Sequence, residues 1–487
     1  MVLGVVALAV GVLGSGCGNK EEKKAAHLKK AREYSEKGEL KKAVVEYKNV
    51  MQLDPQDDGV FYELGEAYVK LKQGNEALGA FGRAASINPD NMKAQLKVGQ
   101  LFLLGRKTEE ARKKAELVLE KSPENIEGLM LLSGVQMQEK DIDGAAKTIE
   151  RAAAIDPNQF NVQLSLARIY FLKKDFGQAE KAYKKAIELE AASRVSYIEL
   201  ARIYGIRGEW EKAEAAFKKM IEATGESYQS LLLLARFYES RGVWEQAEEN
   251  YKKAVSGAPR EDVVPLMNLA SYYGRRKSYD KALEQIEKAA EIRKNDLNIL
   301  VSKAQLQFDF RKIKEAEGTL NKVLEKDPKN LAGLIALGTV YDHKGEGERA
   351  EPYYRKAMEI RKDFGPAANN LAWNLVQRGV NLDEALKLAQ IAREQIPGNP
   401  AVTDTLGWIH YLKGDYVKAI SEFEESVARR PGNPVINYHM GLAYYKGNEP
   451  EKAREFLRRA LSLDPHLKGT EEAQRILKTL GAPAAEK

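Results

Sequence analysis

An all-α chain built as a solenoid is predicted by three observations. The run L-A-R-I-Y stands at 166–170 and again at 200–204, and L-A-R-F-Y stands at 234–238, each copy 34 residues after the last. Nine residues after each of these Tyr comes an Ala (Ala179, Ala213, Ala247), and four residues further an aromatic (Tyr183, Phe217, Tyr251). Within each half of the unit the apolar residues are spaced by three and four, which places them on one face of a helix. A fixed period of this length with two amphipathic helices per unit means a stack of helix pairs, because no single pair can bury its own apolar face.

The register extends over nearly the whole chain. Counted from their first residue, thirteen units begin at Lys24, Asp58, Met92, Ile126, Phe160, Arg194, Tyr228, Val263, Leu297, Leu331, Gly365, Pro400 and Pro434. Position eight is small in every unit: Ala31, Gly65, Gly99, Ser133, Ala167, Ala201, Ala235, Ala270, Ala304, Gly338, Ala372, Gly407 and Gly441. Position twenty is Ala throughout, one place late in the eleventh unit, where the turn R-G-V-N-L-D at 378–383 carries an extra residue before Ala385. Small side chains at these two places let the first helix (A) and second helix (B) approach closely. Pro follows helix B at Pro55, Pro89, Pro123, Pro157, Pro259, Pro328, Pro397, Pro431 and Pro465, where the helix must stop.

This pattern resembles the tetratricopeptide repeat. The resemblance implies a right-handed α-solenoid of about thirteen helix-turn-helix repeats over residues 24–467, with a ligand lying along a concave face lined by helix A. After the last repeat, T-E-E-A-Q-R-I-L-K-T-L at 470–480 is one more amphipathic helix, with Thr470 expected as its N-cap and Gly481 beyond its end. It is expected to cap the array over residues 468–481, with a disordered tail at 482–487. At the other end the Lys-rich first repeat is expected to cap itself.

The first residues differ from the rest. Val2 to Leu13 is apolar and Gly-rich, shorter than a comfortable bilayer span, and ends in G-S-G-C at 14–17. A small residue before the only Cys of the chain is similar to a bacterial lipoprotein box, with Gly14 where Leu is usual and Leu13 one place further back. The resemblance implies a signal peptide at 1–16, a lipidated Cys17 as first residue of the mature protein, and a polar lead-in at 17–23. A plain uncleaved anchor is the other reading of this segment. No Lys or Arg precedes the apolar run, which leaves a start upstream of Met1 open. A single Cys excludes an internal disulfide.

Composition narrows the function classes. Lys and Arg number 77 against 71 Asp and Glu, a net charge of +6 that is small for 487 residues and gives no reason to expect nucleic acid. His27, His343, His410, His439 and His466 never sit beside the Cys or in H-E-x-x-H spacing, so no metal site is expected. Paired carboxylates such as Glu248 and Glu249 fall on the solvated side of helix B, and G-E-G at 345–347 falls in a turn rather than a phosphate loop. No cofactor and no catalysis are expected.

Binding remains. By the resemblance, positions two, five, six, nine, twelve and thirteen look into the groove. No repeat has the Lys at five with Asn at nine that the family uses to grip a C-terminal carboxylate. Two other features stand out. Arg168, Arg202 and Arg236 occupy position nine of three successive repeats, flanked by Leu164, Ile198 and Leu232 at position five. Three like charges in register require neutralisation. Either Glu199 and Glu239 pair with them, or they receive the carboxylates of an acidic peptide or an anionic polysaccharide. The second feature is an aromatic group, Trp373, Trp408, Tyr411, Tyr438 and Tyr445, either packing between repeats or lining the groove. Trp210 and Trp244, at position seventeen, are expected to be structural. The function these features imply is a non-catalytic scaffold, held by lipid at the bacterial envelope and facing the periplasm, that recruits partners for pilus, exopolysaccharide or outer-membrane assembly, export or surface sorting. An inner-membrane-anchored adaptor facing the cytoplasm and regulating a partner enzyme is the alternative, and cleavage with lipidation at Cys17 separates the two.

Overall fold

The structure is a computed structural model that describes the backbone of residues 15–481 and the side chains of residues 20–481. The expected signal peptide lies outside the described residues except for the backbone of its last two positions. The side chain of Cys17 and the expected tail at 482–487 also lie outside them. The described residues form 27 helices and no strand, that is, thirteen A/B pairs and a terminal helix.

Helices begin at Asp58, Met92, Ile126, Phe160, Arg194, Tyr228, Leu297, Leu331, Gly365, Pro400 and Pro434, the positions where the 34-residue count places a unit start. In repeat eight helix A is Val264–Arg275, one residue later, with Pro265 in its first turn and Val263 at the cap. In repeat one helix A is Ser15–Glu36, so the lead-in is a continuation of that helix. Nothing between Asn19 and Glu36 breaks it: the stretch holds no Gly or Pro and is dominated by Lys, Glu and Ala, all strong helix formers.

Each A helix turns into its B helix through one residue in the left-handed region. Position fifteen has φ between 58° and 81° in all thirteen repeats, from Gly38 through Lys72, Arg106, Lys140, Lys174, Gly208, Gly242, Lys277, Arg311, Gly345, Gly379 and Gly414 to Asn448. The next residue's N–H then reaches the carbonyl five places back, as Asp175 does to Tyr170 at 3.0 Å and Glu209 to Tyr204 at 2.8 Å. This satisfies a carbonyl that the end of helix A leaves without a partner. The extra residue in repeat eleven is absorbed by a second left-handed residue, Asn381 (φ 48°), whose side chain caps helix B by accepting from the Glu384 N–H.

The A/B seam is where the small residues sit. Every position-twenty Ala, from Ala43 to Ala453, is 0% exposed. Opposite them, a Cβ at Gly65 would stand 2.6 Å from the Phe81 ring, and one at Gly407 would stand 2.6 Å from Phe423, so these pairs fit only because position eight carries no side chain. Ser133 fills the same place in repeat four and donates its hydroxyl to the Ala145 carbonyl at 3.0 Å.

Two compact units divide the chain, Met1–Ala247 and Glu248–Lys487. In the first, the core runs from Ala31, Tyr47, Leu64 and Phe81 through Leu129 and Ile149 to Tyr183, Ile203 and Tyr204. In the second it runs from Leu320 and Tyr354 through Leu371 and Leu406 to Phe423, Tyr444 and Leu457. There the terminal helix, Thr470–Gly481, buries Ala473 and Ile476 against Tyr438, Leu442, Leu457 and Ala460, the capping role expected of it. Its N-cap is not Thr470. The Gly469 carbonyl accepts the Ala473 N–H at 2.9 Å, and the Thr470 hydroxyl points back to the Leu467 carbonyl at 2.7 Å. Gly469, at φ +106°, takes a backbone shape that Thr would resist, which puts the cap one residue earlier.

Neighbouring repeats are tied by a tyrosine at position eleven that donates to a glutamate at position twenty-one of the repeat before it. The pairs are Tyr204 to Glu180 (2.9 Å), Tyr238 to Glu214 (2.8 Å), Tyr273 to Glu248 (2.8 Å) and Tyr341 to Glu317 (3.0 Å). Glu180 also holds Lys184 at 2.8 Å and Arg207 at 2.6 Å. Burial alone would raise its pKa, but the bonds from Lys184, Tyr204 and Arg207 outweigh that and bring it from 4.5 down to about 2.

A Lys at φ +61° carries a Cβ penalty that Gly does not, so Lys174→Gly should stabilise repeat five by about 1 kcal/mol, read as slower amide exchange in Phe160–Leu172 and Phe176–Leu189. A carboxylate whose folded pKa is depressed contributes stability that is complete above its unfolded value and is lost as pH falls through the folded one. Exchange protection across the repeat five to six junction should therefore fall between about pH 4.5 and pH 2, and Glu180→Gln should flatten that dependence. An unchanged profile in the Gln variant would show that the carboxylate does not tie the repeats.

Candidate functional surface on helix A

In the first unit, position nine stands clear of the seam. Arg168, Arg202 and Arg236 are exposed, while Ala167, Ile169, Ala201, Ile203 and Ala235 beside them in the sequence are buried. The same face of three successive A helices therefore carries one guanidinium per repeat. Arg202 lies over the Phe171 ring of the preceding repeat at 4.6 Å, a cation–π contact, and approaches Glu199 at 3.4 Å. That pair is the internal neutralisation the sequence allowed for. It is solvated, with Arg202 60% exposed in its side chain, so its contribution to stability is small. Arg168 has no ion-pair partner among the described residues. The charges of Arg168 and Arg202 both reach the buried Tyr183 hydroxyl: burial, then the Glu199 charge, push that group up to about 12, and the two arginines oppose the rise. The position-five residues Leu164 and Ile198 are half-buried and Leu232 is buried, forming the apolar flank.

The aromatic residues of the second unit divide into two roles. Trp373, Trp408, Tyr411 and Tyr445 are half-buried on helix A of repeats eleven, twelve and thirteen. Tyr438 is 7% exposed, and its hydroxyl donates to Glu472 of the terminal helix at 2.7 Å. It belongs to the packing under that helix, because position five of the last repeat faces the cap rather than a further repeat. Tyr411 stacks on Trp408 with centroids 4.8 Å apart and planes 12° apart.

At the centre of this group stands a residue the sequence pattern did not single out. His439 stacks on Trp408 at 4.3 Å, lies 5.9 Å from Trp373 and 5.8 Å from Phe423, and its Nδ1 is 2.9 Å from Oδ1 of Asp404. Both members of the pair are buried, His439 at 5% and Asp404 at 8% exposure. Asp404 is position five of repeat twelve and His439 position six of repeat thirteen. Reading successive helices by adjacent columns would have paired them, whereas reading each column alone does not.

Trp210 and Trp244 are the first residues of their B helices and are 36% and 37% exposed. Trp210 carries Arg241 of the next repeat at 3.8 Å over its ring and so serves packing between repeats. Among the described residues no group of His, Cys, Asp and Glu could hold a metal ion, and no helix is long and apolar enough to cross a membrane.

Paired helices in tandem, with a variable A-helix surface over an invariant seam, define an interaction scaffold of repeat type. The chain belongs to the tetratricopeptide repeat family. Family models described as TPR or tetratricopeptide repeat match residues 31–72, 62–126, 102–169, 136–203, 230–262, 266–295, 334–368, 369–434 and 410–480. Among curated proteins the chain is 26% identical over 202 residues to BBSome complex member BBS4 of Mus musculus, covering 41% of this chain and 38% of that one. It is 23% identical over 163 residues to TPR repeat-containing protein PA4667 of Pseudomonas aeruginosa, covering 33% and 28%. The chain thus spans well under half the length of either relative. Among solved structures, yeast Tom70 aligns over 95% of this chain and 96% of its own with 16% identity and a TM-score of 0.41. Proteins of this family act as protein–protein interaction scaffolds, and the fold is typically non-catalytic.

Proposed function

We propose that this scaffold is a lipid-anchored protein of the bacterial cell envelope, facing the periplasm, which recruits partners for an assembly, export or surface-sorting system. The observation that carries the reading is the apolar stretch from Val2 to Leu13 running into G-S-G-C, with the only Cys of the chain at its end. Thioether-linked diacylglycerol and an amide-linked acyl chain on Cys17 would supply two or more hydrocarbon chains. At about 0.8 kcal/mol per buried methylene, that holds a protein on a membrane stably. The protein is expected to sediment with membranes, resist a salt wash and incorporate labelled palmitate. Cys17→Ala should abolish the label and leave the precursor uncleaved, as read by intact mass. Label and mass unaltered by that substitution would end the lipoprotein reading and favour the retained anchor.

The partner surface in this reading is the arginine face of repeats five to seven. Guanidinium forks at one per repeat suit the spaced carboxylates of an extended acidic peptide or an anionic polysaccharide, with Leu164 and Ile198 meeting the chain between them. Replacing Arg168, Arg202 and Arg236 together by Ala should weaken capture of the partner cross-linked in intact envelopes. The loss should be greatest at low salt, where exposed charges act over the longest range, and thermal stability should stay within about 0.5 kcal/mol of the parent. Capture that survives intact, or a fall in stability, would make the arginines structural.

A further inference from the structure

We propose that the second unit carries, on its A-helix surface, a site for the arginine side chain of an extended partner segment, built on Asp404 and His439 with Trp373 and Trp408 as its walls. The side chains of His439 and Asp404 are 6% and 12% exposed, and the bond between Nδ1 and Oδ1 at 2.9 Å is the one hydrogen bond either makes among the described residues. A carboxylate offers about four acceptor positions, and the chain itself fills one of them at Asp404. With the ring neutral, donation from Nδ1 to the carboxylate leaves Nε2 as an acceptor. The remaining groups of the pair, Oδ2 of Asp404 and Nε2 of His439, therefore both accept. In the matching position of the preceding A helix, Asn369 has a buried Oδ1 with no partner. A ligand that completes this site must bring donors.

Charge and shape narrow the donor to a guanidinium. At positions two, five, six, nine, twelve and thirteen of repeats nine to thirteen, the residues of fixed charge are Asp309, Asp342 and Asp404 against a single Lys446. Asp342 is already satisfied by the Tyr354 hydroxyl at 2.7 Å and by the Asn374 amide, and Asp309 accepts from Gln305 at 2.8 Å. Asp404 is thus the carboxylate on this surface that a cation would complete. Trp408 stacks against His439 at 4.3 Å and against Tyr411 at 4.8 Å, and Trp373 stands 5.9 Å from His439, so a flat cation entering beside the pair meets an aromatic cluster as well as acceptors. Trp is the strongest cation–π partner, and a planar fork with five N–H groups matches paired acceptors better than a single ammonium does. In the same column where the first unit carries Arg168, Arg202 and Arg236, this unit carries Trp373 and Trp408, and the two surfaces select side chains of opposite charge.

The site rests on the reading of the chain as an interaction scaffold and can fail separately from it. The test uses the full chain labelled with 5-fluorotryptophan and followed by fluorine NMR, its four indole signals assigned by single Trp→Phe variants. The probes are N-acetyl-arginine amide and its neutral isostere N-acetyl-citrulline amide. The arginine compound should move the Trp373 and Trp408 signals in a saturable manner, leave Trp210 and Trp244 in place, and be matched by no movement with citrulline. Asp404→Asn should weaken the response about tenfold, the loss expected for one charge-assisted hydrogen bond. Should that variant disturb packing, seen as altered signals before any probe is added, Trp373→Leu read on Trp408 replaces it and should also weaken binding. Equal responses to arginine and citrulline, a response unchanged in the variant, or no movement up to the solubility limit of the arginine compound would overturn the site. In each of those cases, partner capture through the arginine face and lipidation at Cys17 would be unaffected.

Discussion

Everything in this molecule depends on how closely two helices approach at positions eight and twenty. A backbone-to-ring distance that leaves no room for a methyl group, as between Gly65 and Phe81 or Gly407 and Phe423, fixes the A/B geometry more tightly than apolar character alone. A larger residue would have to displace a buried ring or the opposite backbone, at roughly 1 to 3 kcal/mol each time. Because the seam is satisfied by Gly, Ala and Ser, it commits almost none of the side-chain chemistry of the repeat. The outward positions of helix A are left to vary at small energetic cost, and that division of labour turns a stack of helices into a binding surface.

A second constraint acts between repeats. The hydroxyl of a position-eleven Tyr reaches a Glu of the previous helix B; Glu180, Glu214 and Glu248 also gather a Lys four residues on, and Glu180 and Glu317 a basic residue from the following turn. These bonds join each repeat to the one before it across 24 or 25 residues, so they set repeat-to-repeat spacing without linking distant parts of the chain. Stability in such an array is a sum of local terms, and a defect at one junction loosens its neighbours first. Carboxylates that the sequence presents as ordinary surface charges, Glu248 among them, are in this way structural ties rather than acid–base candidates.

What could be read from the sequence was whatever repeats in one column. The unit starts, the small seam and the Ala at position twenty all recur at a single offset, and the helix boundaries follow them to the residue in nearly every unit. Features that join two columns were not visible in that way. The Asp404–His439 pair joins position five to position six of the next helix, and the Tyr–Glu ties join position eleven to position twenty-one of the preceding repeat. End effects break the period altogether. Helix A of repeat one extends back to Ser15 because nothing stops it, and Gly469 takes the cap from Thr470 because the chain must turn sharply there. Tyr438 occupies a groove column by count, yet the terminal helix covers it, since the last repeat has no successor.

On the proposed reading, specificity is stored at position nine. In repeats five to seven the position is exposed and in eleven and twelve half-buried, and on that reading its residue is chosen for a partner: arginine in the first three, tryptophan in the other two. Exposed arginines that cost little to solvate act at a distance and through salt-sensitive attraction, which favours rapid capture of an acidic chain. Tryptophans half-buried beside an incompletely bonded carboxylate act only on contact, because the gain comes from removing water from a site already shaped. On that reading one scaffold column supports two kinds of recognition, and the seam beneath it needs no change to accommodate either.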